Sequence, residues 1–89
     1  MSSIRMQGRL AQGKSELARK TKVRQQTERT LADLKDLHTE ALGHPDVVAG
    51  ARQAERFSAD LHKVGVTLAR LTGEIEVLAA EVADLERLV

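Results

Sequence analysis

The residues that could do chemistry are few and scattered. There are three histidines: His38, His44 and His62. A metal site needs converging donors, and no histidine here is spaced to pair with another on one helical face. No metal and no cofactor is expected. There is no cysteine, so disulfides, thiolate ligands and cysteine nucleophiles are excluded. Carboxylate groups such as Asp33/Asp36/Glu40 and Glu74/Glu81 could serve acid–base work only inside a water-poor pocket that shifts them. Ser2, Ser3, Ser15 and Ser58 lack a base and an orienting group at plausible spacing.

One motif matches a catalytic pattern letter for letter. Gly8-Arg-Leu-Ala-Gln-Gly13-Lys14-Ser15 satisfies the GxxxxGK[ST] spacing of a phosphate-binding loop. Such a loop follows a buried strand and opens a helix. Only seven residues precede this one, and none of them makes a strand pattern. We read the match as coincidental and expect no catalytic residues and no enzymatic activity.

The elements that would position any site are helices. The chain has 89 residues and is 42% apolar, yet Phe57 is its only aromatic residue. Leu, Val and Ala joined to 30% charged residues approach the composition of coiled coils, and no alternating strand pattern interrupts them. From Leu61 the apolar positions run Val64, Leu68, Leu71, Ile75, Leu78, Val82, Leu85 and Val89. That unbroken 3-4 spacing is a heptad seam on one helical stripe. The stripe extends back through Phe57, Ala54, Ala51 and Val47. The first helix carries its own stripe at Leu31, Leu34, Leu37 or His38, and Ala41. Traced upstream, the same frame meets Thr27, Arg24 and Lys20 before Leu17, Gly13, Leu10 and Met6.

Between the two patterns stands Gly43-His44-Pro45-Asp46, with the single proline. Gly43 suits the left-handed residue that ends a helix. Pro45 suits the first position of the next, and Asp46 its positive end. So short a connection makes the helices antiparallel neighbours. The expected fold is all-α: one antiparallel two-helix coiled-coil hairpin over 1–89. Helix 1 spans about 3–42, the turn 43–46 and helix 2 about 45–89, with residues 1–14 prone to fray.

Folding about the turn pairs residues whose numbers add to about 88. Leu37 then meets Ala51, Leu17 meets Leu71, Leu10 meets Leu78 and Met6 meets Val82. Residues 1–29 carry eight Lys/Arg against two Glu, whereas residues 61–89 carry three Lys/Arg against five Asp/Glu. The basic head would thus lie beside the acidic tail, with Arg5 and Arg9 near Glu81 and Glu76. The middle does not balance: Leu61, Val64 and Leu68 face Thr27, Arg24 and Lys20, whose long stems cover apolar surface poorly.

Phe57, Leu61, Val64, Leu68 and Leu71 are therefore the expected partner-binding residues. The partner is a protein or a second copy giving a four-helix bundle. The function this implies is a non-enzymatic interaction module: a small adaptor, assembly factor or chaperone-like subunit of a larger complex, of the secretion or phage kind. The alternative is a nucleic-acid-associated protein using Arg19, Lys20, Lys22 and Arg24 on phosphates. No aromatic interleaves those cations to stack on bases. No apolar run reaches the roughly 18 residues of a membrane span, and no apolar leader follows the N-terminus. A cytoplasmic chain without a membrane partner is expected.

Overall fold

Two amphipathic patterns separated by a proline-containing break become two α-helices packed against each other in an antiparallel hairpin, as the sequence predicts. The computed structural model describes residues 2–89, with side chains from Ile4 onward. α1 spans Ser2–Leu42 and α2 spans Val47–Leu88. Among the described residues there is no strand. Contacts divide the chain into a turn unit, Gln25–Ala69, and a terminal unit made of Met1–Arg24 and Arg70–Val89.

In the turn unit, α1 closes by tightening rather than by a left-handed residue. The Gly43 amide donates to Glu40 O at 3.1 Å, and the His44 amide to Ala41 O at 3.2 Å. These short-range bonds satisfy the last carbonyls of the helix. Gly43 does not take a positive φ, contrary to the expectation from its type.

α2 also starts later than Pro45. Asp46 is its N-cap. Its Oδ1 accepts from the amides of Val48 at 3.1 Å and Ala49 at 3.2 Å. Its carbonyl takes the first helical bond, from Gly50 at 2.9 Å. Its own amide donates to His44 Nδ1 at 3.0 Å. An amide only donates, so Nδ1 accepts in this bond. A side-chain cap holding two orphan amides outcompetes a proline start, which could satisfy none. Asp46→Ala should therefore cost about 1 kcal/mol, seen as a lower urea midpoint with unchanged slope.

The seam of α2 runs through Gly50, Ala54, Phe57, Leu61, Val64, Leu68, Leu71, Ile75, Leu78, Val82 and Leu85, every one buried or half-buried. Upstream of Ala54 it passes through Gly50; Val47 and Ala51 are exposed. This is the 3-4 spacing continued backwards without a change of phase. On α1 the seam takes His38, half-buried, while Leu37 is exposed.

The register differs from the expected one. Ala41 O lies 2.5 Å from where a Cβ of Gly50 would stand, Lys20 reaches Glu74, and Gly13 faces Val82, so facing numbers add to between 91 and 95 and not to 88. The cause is local. Four residues lie between the helices, and the first two residues of α2, Val47 and Val48, are exposed. Pairing starts at Gly50, where the absence of a side chain lets α2 meet the α1 backbone.

Candidate interaction surface

The expected partner stripe lies on the face that α2 turns toward α1. Leu71 is buried, at 7% exposure. Phe57, Leu61, Val64 and Leu68 are half-buried. The buried apolar residues are Ala41 and Ala54 in the turn unit, and Leu71, Ile75 and Val82 in the terminal unit. Among the described residues, no large side chain is buried completely. Two helices give each seam a single neighbour, so its shoulders stay wet. α1 contributes Lys20, Arg24 and Thr27 to its own seam, all half-buried, where leucines would have closed the gap.

In the terminal unit the basic α1 segment does lie beside the acidic α2 segment. Lys20 Nζ sits 2.9 Å from Glu74 Oε2, and Lys14 Nζ 3.1 Å from Glu86 Oε1. Among the described residues, neither Arg5 nor Arg9 enters an ion pair, unlike the anticipated contacts. Arg9 instead lines a shallow groove of about 150 Å³ with Gln12, Gly13 and Glu16 on one side and Leu78, Glu81, Val82 and Leu85 on the other.

The Lys20 hydrogen bond, then the Lys20 charge, hold the Glu74 carboxyl below the usual carboxylate range; Arg70 adds to this from 4.0 Å. A value depressed in the folded state means stability that is present above the unfolded value and lost as pH falls through the folded one. Wild type should therefore be more stable than Glu74→Gln at neutral pH. The gap should persist to about pH 4.3, the ordinary glutamate value, and close below it. A gap that widens on acidification would contradict this assignment.

The four cations of the nucleic-acid alternative do not share a face. Lys20 and Arg24 take seam positions, and Lys20 is tied to Glu74. Arg19 and Lys22 point outward, with Arg19 3.8 Å from Glu16. His44 is part of the turn, His38 part of the seam, and His62 is exposed. Among the described residues, no group of three His, Cys, Asp or Glu is placed to hold a metal ion. The phosphate-loop look-alike, residues 8–15, lies wholly inside α1, and neither Gly8 nor Gly13 has a positive φ. Its amides are turned along the helix axis and cannot ring a phosphate. Among the described residues, no helix is long and apolar enough to cross a membrane.

Sequence reasoning missed two features of this surface. The Lys20–Glu74 pair depends on register, which the pattern did not reveal. Gly50 could have been found by carrying the 3-4 spacing one step beyond Ala54. Comparison with protein families, with curated proteins and with solved structures finds no match.

Proposed function

We propose that this chain is a non-enzymatic interaction module, an adaptor, assembly factor or chaperone-like subunit that offers a helical surface to a second copy or to another protein. One observation carries the reading: Phe57, Leu61, Val64 and Leu68 form an apolar run that α1 covers only in part. Burial of apolar surface is worth about 25 cal/mol per Å², so completing that cover favours association. A hairpin gives this run one neighbouring helix, which leaves a shoulder where a further helix would lie. We place the module in the cytoplasm, a compartment compatible with a chain that has no cysteine.

Sedimentation velocity and thermal melts over a hundredfold range of protein concentration test this. Anything that binds the folded form alone raises its stability with concentration. Self-association should raise the melting temperature with concentration, and Leu61→Asp should abolish that dependence. A stable monomer at every concentration, which also takes up no protein in chemical cross-linking, would overturn the reading.

A further inference from the structure

The outward face of α1 carries a charge pattern that is its own complement. Away from α2, at successive 3-4 spacings, stand Lys22, Gln26, Arg29, Asp33, Asp36 and Glu40, all exposed. The charges in the first half of the stripe are basic and those in the second acidic. On its shoulder, seven residues apart, lie Val23, Thr30 and Leu37; Val23 and Leu37 are each 41% exposed. Among the described residues, none of the five charged side chains enters an ion pair within the chain.

This arrangement costs an isolated helix. Asp33–Asp36 and Asp36–Glu40 place like charges one turn apart, and Arg29 precedes Asp33 in the weaker order for a helical ion pair. The α1 face thus gains little from its own charges. It gains from an antiparallel copy of itself.

We propose that a second copy of this chain docks antiparallel on the outward face of α1, with the two-fold axis beside Thr30. Arg29 then faces Asp33 of the other copy, and Lys22 faces its Glu40. Val23 meets Leu37 across the axis, and Thr30 meets Thr30. Every contact off the axis occurs twice, as an isologous interface requires. A parallel pair sets Asp33, Asp36 and Glu40 against their own kind, which repels. Charge pattern and apolar shoulder therefore choose the same orientation. This rests on the reading of the chain as an interaction module; it names the partner as a second copy and uses a different face from the Phe57–Leu68 run.

Two charge-swapped proteins test it. Lys22→Glu/Arg29→Glu makes the stripe acidic throughout, and Asp33→Lys/Glu40→Lys makes the acidic partners of both contacts basic. Each alone should dimerise at least about tenfold more weakly than wild type at low salt, and an equimolar mixture should recover a heterodimer. Wild-type dimerisation should weaken as salt rises. Because the chain has no cysteine, Thr30→Cys gives a second readout free of charge changes. Oxidation should convert it quickly to a disulfide-linked dimer. Val23→Cys should cross-link to Leu37→Cys and poorly to itself.

A wild-type chain that stays monomeric at low salt overturns the proposal. So do swapped variants that still dimerise like wild type, or a Thr30→Cys protein that does not cross-link. Wild-type association that ignores the swaps but is lost in Leu61→Asp sinks this interface and leaves the interaction-module reading standing.

Discussion

Gly50→Ala is expected to destabilise the chain by about 1–3 kcal/mol, while Gly73→Ala stabilises it by up to about 1 kcal/mol. Both glycines stand inside α2, where alanine is the better helix former. Space decides the sign. A Cβ on Gly50 would stand 2.5 Å from Ala41 O and 2.7 Å from His44 Cβ. The first of these is backbone at the end of α1, so relief requires the turn to open. A Cβ on Gly73 meets nothing within 4 Å. Urea unfolding of the two variants under identical conditions gives the comparison. Equal shifts of the same sign would mean that Gly50 is not the contact on which pairing starts.

Leu71→Ala should cost about 2–5 kcal/mol, and Leu37→Ala under about 1 kcal/mol. Leu71 is 7% exposed and Leu37 41%. A chain of this length is expected to hold about 4–13 kcal/mol in all, so the first change removes a large share. Leu71 belongs to the same apolar run as Leu61 and Leu68, yet α1 already covers it. Its effect should survive dilution to concentrations at which chains are apart. If the loss vanishes on dilution, Leu71 is covered by another chain and not by its own.

The fold was legible because α2 repeats one spacing from Leu61 to Leu85, and a helix is the regular structure that gathers those positions. α1 was legible by the same frame, even across Lys20, Arg24 and Thr27, since a helix carries its phase through polar residues. Register was not legible. Heptads slid past one another look alike, and the choice falls to the turn, where Asp46 and His44 capture amides that a proline start would leave unpaired. The error there moved every cross-seam partner. The expected partner-binding residues were found on one stripe of α2, but how far α1 covers each depends on packing that spacing alone does not encode.

The two units also differ in how far apart in the chain their contacts lie. Ala41 and Gly50 are nine residues apart, Gly13 and Val82 sixty-nine. Bringing the second pair together from an open chain costs about 2 kcal/mol more in loop closure than the first. The cheap closure comes early and shortens the loop for the rest. Folding should therefore nucleate at the turn and proceed toward the termini. Gly50→Ala should slow refolding, whereas Val82→Ala should chiefly hasten unfolding, which stopped-flow chevrons would separate. The order of events is thus set by a small glycine and a capping aspartate, and the long seam follows.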